Sequence, residues 1–337
     1  MDLVHHHRLP GRGHVSIERL FSEIRDHLPE PWHARVVTCP HPSTGVVPRL
    51  RSMAAARRQA GRINHVTGDV HFLTMALPRE GAILTIHDCA LLKILKGPAR
   101  ELFRQVWFRL PSLSSRMVTT ISHAMKAEIA ELAGIRPEKV RVVPNCVRGE
   151  FSPDPKPFST REPVILQVGT GWNKNLEGVG RALRGLDCRL VIVGEPTPAQ
   201  REFLEIQGIR YKALGRVPDP VVLEAYRNCD LVVFASVYEG FGLPIIEAQA
   251  VGRPVITSNH GAMAEAAGEG ALLVDPSDPL SIREAVRRVI ADPDVRADLV
   301  AKGFGNVAKY RPGAVARAYA ALYDEVKESL SQHVLKM

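Results

Sequence analysis

The chain has 337 residues, of which 45% are hydrophobic and 24% are charged, values ordinary for a globular protein. They exclude a disordered chain, a collagen and a coiled coil, and the length favours two domains. No apolar run approaches the roughly 18 residues that a membrane-spanning helix requires, and the N-terminus lacks the apolar core of a signal peptide. The five cysteines are scattered without CxxC spacing, which predicts reduced thiols and a cytoplasmic protein.

The net charge of +8 is unevenly distributed along the chain. Residues 1–160 carry 23 Lys and Arg against 14 Asp and Glu, whereas the remaining residues have a balance of −1. Eleven of the thirteen histidines also lie in the first half. Two halves with different charge predict two domains with different partners, and the basic half favours an anionic partner.

Short apolar runs in the first half alternate with amphipathic helices. A glycine-containing loop, 10–14, precedes a helix that has apolar residues at helical spacing from Ile17 to Leu28. A second helix is predicted at 122–132. The predicted strands are 3–6, 35–38, 64–66, 82–86, 117–120 and 140–143.

The second half repeats this alternation more clearly, after a proline-rich stretch at 151–163 that we interpret as a linker. Helices are predicted at 175–186, 220–228, 243–251 and 281–290, and strands at 163–168, 189–193, 209–214, 231–235, 254–257 and 270–274. Such alternation indicates βαβ units and a parallel sheet buried on both faces. Both halves are therefore predicted to be α/β domains of the doubly wound, Rossmann-like type.

The segment 236–247, SVYEGFGLPIIE, carries the most chemical information. It follows a buried strand and opens a helix, and Pro244 suits the first helical turn. The amides of Phe241, Gly242 and Leu243 would then lie at a helix N-terminus, which attracts phosphate. Glu239 and Glu247 would flank that cradle, where carboxylates suit sugar or ribose hydroxyls. The alternative is an ordinary glycine turn with two solvated glutamates.

This segment resembles the signature of the retaining nucleotide-sugar glycosyltransferases of the GT-B fold, family four (glycosyl transferases group 1). The paired glutamates read E-GFGLPII-E, and VGTGWNKNLEGVGRAL resembles the Lys-Asn turn of that family. Further resemblances are TIHD, GRGHVSIERL, ISHAMKAEIAELAGIRPEKVRVVPNCV and GALLVDPSDPLSIREAV. The resemblance implies two Rossmann-like domains that face a central cleft: an acceptor domain at 1–155, a donor domain at 162–315, and a helix at 316–337 that packs back on the first domain.

The same resemblance implies three catalytic residues. Glu239 would contact the hydroxyls of the donor sugar and stabilise charge that develops at the anomeric centre. Lys174 would neutralise the pyrophosphate leaving group. His87 would face the donor sugar from the N-terminal domain.

The implied donor-binding residues surround these three. Glu247 would hydrogen-bond the ribose, the amides of residues 241–243 would bind sugar hydroxyls and the distal phosphate, and Gly11 and Gly13 would approach the phosphates. Asn173 stands where the family often has an arginine, Thr170 replaces a second arginine, and Cys146 replaces the glycine of a Pro-Asn-Gly turn. Arg216 is a candidate to replace the missing cation, although its loop more often packs against the base.

Neither of the two candidate metal motifs favours a metal site. Asp292 and Asp294 form a D-x-D between two helices, which a helix-capping turn explains better. His5, His6 and His7 lie in a predicted strand, where neighbours face opposite sides, or they are the remnant of a tag. We therefore expect no metal and no cofactor besides the nucleotide-diphosphate sugar as co-substrate. Asp88 could activate an acceptor hydroxyl or cap a loop from a buried position.

Two basic stretches in the first half raise the question of a membrane contact. Residues 49–62 carry five arginines and no acid, and residues 93–109 place apolar residues at helical spacing beside Arg100, Arg104 and Arg109. The simpler interpretation is one amphipathic helix packed on the sheet. The alternative is a face that contacts anionic lipid at the inner side of the membrane, where a lipid-linked acceptor would lie.

The sequence therefore predicts a metal-independent, retaining hexosyltransferase of polysaccharide biosynthesis. It would move a sugar from a nucleotide-diphosphate donor to a polysaccharide or lipid-linked oligosaccharide. The alternative is a non-catalytic sugar-nucleotide-binding subunit of a polysaccharide assembly system, against which the intact Glu239, Glu247, Lys174 and His87 argue. No nucleic-acid motif accompanies the basic residues, so no nucleic-acid partner is expected.

Overall fold

The structure is a computed structural model that describes residues 2–9 and 16–334. It comprises two compact units. The first contains the chain up to Cys146 together with the residues from Pro312 onward, and the second is Val147–Arg311. The N-terminal segment of the first unit ends nine residues before the predicted domain 1–155 does, and the second unit starts fifteen residues before the predicted domain 162–315 and ends four residues before it. The terminal helix belongs to the first unit.

The first unit contains a six-stranded parallel sheet in the order β2-β1-β3-β4-β5-β6. Its central strands are buried along their whole length, as expected for a sheet covered on both faces. The strands are β1 Leu3–His7, β2 Ala34–Thr38, β3 Ile63–Val66, β4 Ala82–Ile86, β5 Met117–Thr120 and β6 Val140–Val142. The histidines of β1 are therefore part of the core sheet and not an appended tail.

Seven helices accompany this sheet in the described part of the first unit. The region predicted as one helix at 93–109 is broken, because Gly97 and Pro98 interrupt it and π-helical turns at Arg104–Arg109 continue it. The helices are α1 Ser16–Asp26, α2 Val46–Arg58, α3 Ala90–Ile94, α4 Gly97–Phe103, α5 Leu110–Leu113, α6 His123–Glu128 and, at the end of the chain, α14 Pro312–Val334.

A polar network lies inside the first unit, between the sheet and α14. The Tyr323 hydroxyl of α14 is 3.0 Å from His5 Nε2 and 2.8 Å from His65 Nδ1. His65 Nε2 is 2.6 Å from the Thr85 hydroxyl, which lies 2.6 Å from that of Thr119. All these side chains are buried. Buried polar groups normally need such partners, so the Tyr323 hydroxyl of α14 supplies a partner for two buried histidines of the first core.

The second unit contains another six-stranded parallel sheet, in the order β12-β11-β10-β7-β8-β9. The strands are β7 Val164–Val168, β8 Arg189–Val193, β9 Tyr211–Gly215, β10 Leu231–Phe234, β11 Val255–Ser258 and β12 Leu272–Val274. The helices are α7 Leu176–Leu183, α8 Pro198–Ile206, α9 Asp219–Asn228, α10 Leu243–Val251, α11 Gly261–Ala267, α12 Pro279–Ala291 and α13 Pro293–Val307. Both units are thus doubly wound α/β sheets, as the sequence predicts.

The proline-rich segment 151–163 is not a free linker, because it is bound to the second unit. The Phe151 ring packs edge-on against Tyr226 at 5.3 Å between centroids, and the amide of Asp154 donates to the Val251 carbonyl. Lys156 forms an ion pair with the buried carboxylate of Asp230.

None of the helices in the described residues is both long enough and apolar enough to cross a membrane.

Candidate active site

The predicted glycine turn forms at the start of α10. Gly242 has a φ of +108°, a backbone conformation that favours glycine, and it precedes the first helical residue, Leu243. Pro244 occupies the first turn. The first amides of a helix have no partner within it, so this nine-residue helix presents donors and the positive end of its dipole at the carboxyl end of β10.

Lys174 and Glu239 meet beside this turn. Lys174 Nζ donates to Glu239 Oε1 at 2.6 Å, and the Asn173 amide donates to the same oxygen at 3.0 Å. The ammonium also lies 4.6 Å from the centroid of the Phe234 ring at the end of β10, a cation–π contact. Both charged side chains are partly exposed. A lysine and a carboxylate therefore share one small surface beside the N-terminus of α10.

The turn Trp172–Lys174, between β7 and α7, has a closely fixed backbone. Gly169 has a φ of +93°, and a Cβ atom there would lie 2.8 Å from Lys174 Cε. The glycine thus leaves room for the stem of the lysine. Gln167 Nε2 donates to the Lys174 carbonyl at 2.8 Å. Asn175, which has a positive φ of 55°, donates to the carbonyls of Ala235 and Pro276.

Phe241 and Leu243 occupy the predicted positions beside this pair, but their side chains are not equally accessible. The Phe241 ring is buried and packs edge-on against Tyr310 at 5.5 Å between centroids. Leu243 is partly buried. Phe241 therefore stabilises the turn through its side chain. Any contact of residues 241–243 with a ligand would be made by backbone atoms.

Glu247 lies one turn and a half into α10 and is nearly buried, with 8% of its surface exposed. Tyr226 of α9 donates a hydrogen bond from its hydroxyl to Glu247 Oε2 at 2.7 Å. Arg148 Nη2 lies 3.9 Å from Oε1, and Arg148 Nη1 pairs with Asp219 at 2.8 Å and with Glu150 at 3.2 Å. Burial raises the pKa of Glu247, while the Tyr226 hydroxyl and the Arg148 charge lower it.

His87 belongs to the first unit and follows β4. Its Nε2 lies 2.8 Å from the Thr67 carbonyl, to which it donates, so Nδ1 is the acceptor in the neutral ring. Burial lowers the pKa of His87, and this favours the neutral ring at pH 7. The ring borders a cavity of about 520 Å³ that Arg8, Arg49 and Trp107 also line.

Asp88, on the same cavity, is exposed and accepts a hydrogen bond from the Ala90 amide at 3.0 Å. It therefore caps α3 from an exposed position and not from a buried one.

The remaining predicted residues are one arginine, two glycines and the aspartates of the D-x-D motif. Arg216 is exposed directly after β9, and its donor-binding role stays a prediction. Gly11 and Gly13 lie outside the described residues. Asp292 caps α13 by accepting from the amides of Asp294 and Val295, which confirms the capping interpretation of the D-x-D. Among residues 2–9 and 16–334, no group of three or more His, Cys, Asp or Glu has the arrangement of a metal site.

Sequence reasoning missed three residues beside the site: Trp172, Arg148 and Tyr226. Trp172 precedes the quoted Asn173 and Lys174 and could have been noticed there. Arg148 and Tyr226 are distant from Glu247 along the chain. No motif spacing in a single sequence connects them, so the signal that reveals them is the folded contact itself.

Comparisons with known proteins identify the family that this chain resembles. The family described as Glycosyl transferases group 1 matches residues 150–305, and Glycosyltransferase Family 4 matches residues 8–150. O-antigen chain mannosyltransferase B of Escherichia coli is 36% identical over 256 residues, which cover 68% of this chain and 67% of that protein. An uncharacterized glycosyltransferase of Methanocaldococcus jannaschii is 30% identical over 249 residues, 66% of this chain and 63% of its own length.

A solved structure supports the architecture as well. Alr3699/HepE of Anabaena, crystallised with UDP and glucose, superposes with a TM-score of 0.74 at 17% identity, covering 96% of this chain and 100% of that one. At this identity the likeness shows the fold alone. Together with the two parallel sheets and the two family matches, it leads to one conclusion: the chain belongs to the group 1 glycosyltransferases of the two-domain GT-B fold.

Proposed function

We propose that the protein transfers a hexose from a nucleotide-diphosphate sugar to a carbohydrate acceptor with retention of the anomeric configuration. The observation that carries the proposal is the Lys174–Glu239 pair, with its 2.6 Å contact beside the N-terminus of α10. Helix dipole and ammonium suit a diphosphate, and the carboxylate suits sugar hydroxyls. Retention follows the family resemblance.

The pair also fits the charge changes of the reaction. When the bond between C1 and the phosphate oxygen breaks, its electron pair leaves with the diphosphate and positive charge develops at C1. Lys174 would stabilise the negative charge on the departing diphosphate, and Glu239 would stabilise the positive charge at C1. Both side chains are in position before the reaction begins, so this is preorganised electrostatic stabilisation. The acceptor oxygen would bond to C1 on the face that the phosphate leaves, and its proton would pass to a departing phosphate oxygen. This route requires no carboxylate nucleophile and no divalent metal.

The donor site can be tested with the diphosphates UDP, GDP, ADP and dTDP. A ligand that binds only the folded protein stabilises it by about 2.7 kcal/mol at 100 times its Kd, so the correct nucleotide should raise Tm. Lys174→Met should remove most of this stabilisation, whereas Lys302→Met, which alters an exposed lysine of α13, should retain it. If all four diphosphates leave Tm unchanged, the donor assignment fails.

Stereochemistry and metal use need a separate test. NMR of the product linkage should show the anomeric configuration of the donor, and activity should persist in excess EDTA. An inverted linkage would overturn the retaining mechanism. Loss of activity in EDTA, restored by magnesium or manganese, would overturn the assignment of the phosphate charge to Lys174.

On the acceptor side, we propose a polysaccharide or a lipid-linked oligosaccharide, presented at an anionic membrane surface. The name of the Escherichia coli relative supports a polysaccharide. The helices α2 to α5 of the first unit supply the surface, because they combine exposed aliphatic and basic side chains. These are Val46, Val47, Leu50, Leu91, Ile94, Leu102, Leu110 and Leu113, with Arg51, Arg57, Arg58 and Lys93, and the exposed Arg62 lies between α2 and β3.

Val46, Ile94 and Leu102 of these helices are each at least 64% exposed. Apolar side chains that enter the headgroup region, with basic ones beside anionic lipid, are typical of proteins that lie on a membrane. The protein should therefore sediment with vesicles that contain phosphatidylglycerol and not with phosphatidylcholine vesicles, and salt should weaken the binding.

A matched pair of variants tests this surface. Changing Arg57, Arg58 and Arg62 to Ser should reduce vesicle binding and the use of a lipid-linked acceptor, with nucleotide binding unchanged. Changing the exposed Arg287 and Arg288 of α12 to Ser should leave vesicle binding unaltered. If the wild-type protein ignores anionic vesicles at low salt, the basic residues are only a solvated surface.

A further inference from the structure

Trp172 is unusually exposed for its residue type. Its surface is 72% accessible, whereas Trp32 is buried and Trp107 is partly buried. Among the described residues it is the only tryptophan or phenylalanine more than half exposed, since the next, Phe304, is 38% exposed. No aromatic ring or cation of the described residues stacks on its indole. Packing in the hydrophobic core does not account for a large apolar ring that is exposed to water in this way.

The backbone that carries this side chain is held firmly in place. The Asn173 carbonyl accepts from the Val237 amide at 2.8 Å, and the Asn173 side chain donates to the Tyr238 carbonyl at 2.9 Å. The Lys174 amide donates to the Gly171 carbonyl at 2.8 Å, and the Lys174 carbonyl is held by Gln167. The indole therefore projects from an ordered turn. Such a ring loses little conformational entropy when a ligand covers it.

The turn that carries the indole also carries candidate reacting groups. Trp172 is followed by Asn173 and Lys174, which both contact Glu239 Oε1. A ligand that covers the indole and extends to these side chains would meet a carboxylate, an amide and an ammonium. This is the combination that binds a pyranose ring, whose C–H face is apolar and whose rim carries hydroxyls.

We propose that Trp172 is a stacking platform for a pyranose ring of the acceptor, next to the sugar that is transferred. The proposal rests on the proposed function, because it takes Glu239 as the ligand of the transferred sugar. A nucleobase is the other flat ligand of such an enzyme. The nucleoside is disfavoured here, because its proposed ligand, Glu247, is buried against Tyr226 of α9 and not on the turn that carries Trp172.

The binding test uses the three indole N–H resonances of the ¹⁵N-labelled full chain, with the Trp172 peak identified from Trp172→Phe. Methyl α-mannoside, methyl α-glucoside and methyl N-acetyl-α-glucosaminide are titrated in the presence of the nucleoside diphosphate that stabilises the protein. We expect at least one of them to move the Trp172 resonance, while the buried Trp32 resonance stays in place. If none of the three moves it, or if the nucleoside alone moves it as far, the proposal is overturned.

The kinetic test separates the platform from the donor site. Trp172→Ala should raise the KM for the acceptor about tenfold, the equivalent of about 1.4 kcal/mol, with unchanged affinity for the nucleoside diphosphate. Trp172→Phe should restore part of the loss, because it keeps an aromatic face. Ile206→Ala, at an equally exposed position of α8, is the control and should leave KM unaltered. An unchanged acceptor KM in Trp172→Ala would refute the platform, whereas a protein that binds no nucleotide would refute the proposed function instead.

Discussion

Acidification should unfold the first unit before the second, because buried histidines are concentrated in the first. Burial lowers the pKa of His6, His7 and His71 to about 4, that of His65 to about 3, and that of His5 in the same direction. Among the described residues, the second unit has only His260, which is exposed. The charge difference between the halves of the chain thus coincides with a difference in acid sensitivity.

The direction in which pH changes the stability follows from the lowered pKa values of these histidines. A histidine whose folded pKa lies below 6.5 binds protons more readily when unfolded, so its contribution to stability is complete above pH 6.5 and is lost as pH falls towards 4. A fall from 6.5 to about 4, as at His71, corresponds to about 3 kcal/mol. Two such histidines together approach the roughly 5–15 kcal/mol by which a typical domain is stable. A charge on His65 would also be disfavoured by charges on His6, His7 and His87.

Hydrogen exchange with mass spectrometry, followed from pH 7 to 4, can observe each unit separately. Peptides from β1, β3 and α14 should lose protection at higher pH than peptides from β7 and β10. His65→Gln, which retains an amide for hydrogen bonding but does not titrate, should make the loss less steep, and His33→Gln, at an exposed site, should not. Simultaneous loss of protection in both units, or an unaltered pH dependence in His65→Gln, would refute the reasoning.

Four further substitutions test single interactions. Tyr226→Phe should weaken nucleotide binding about tenfold, because a hydrogen bond to a charged group contributes about 1.5–3 kcal/mol. The lost bond also raises the pKa of Glu247, so the acidic limb of calorimetric binding should move to higher pH, and an unmoved limb contradicts this role. Glu239→Gln should mainly lower kcat and Glu247→Gln mainly donor affinity; equal effects on KM alone would refute that division. Asp292→Ala should lower the free energy of unfolding by about 1 kcal/mol through the lost helix cap, measured in urea, and an unchanged value would count against the cap.

Much of the second unit could be predicted from the sequence because its signals are local. Each buried strand is a short apolar run, and the glycine turn, Pro244 and the paired glutamates lie within twelve residues of one another. The carboxyl ends of parallel strands share one edge of the sheet, and Lys174 and Glu239 both follow such strands, but the sequence did not predict the contact between them. The broken helix at 93–109 was harder, since its apolar spacing continues across Gly97 and Pro98 while its backbone does not.

Contacts between distant segments could not be predicted in this way. The hydroxyl of Tyr323 meets His5 across 318 residues of sequence and His65 across 258. Neither a strand pattern nor a helical period specifies which buried tyrosine reaches which buried histidine. Tyr226 and Glu247 pose the same problem, because their side chains meet only once two helices have packed.

The position of α14 has a consequence for the order in which a ribosome can produce the folded protein. All strands of the first sheet have been synthesised once β6 is complete, yet Tyr319 and Tyr323, which fill its core, belong to the last helix. The second unit is continuous in sequence and can fold as soon as it has emerged. N-terminal domains usually fold first during synthesis, but here the second unit should mature earlier. The histidine-rich first sheet would wait, with its core uncovered, until α14 leaves the exit tunnel.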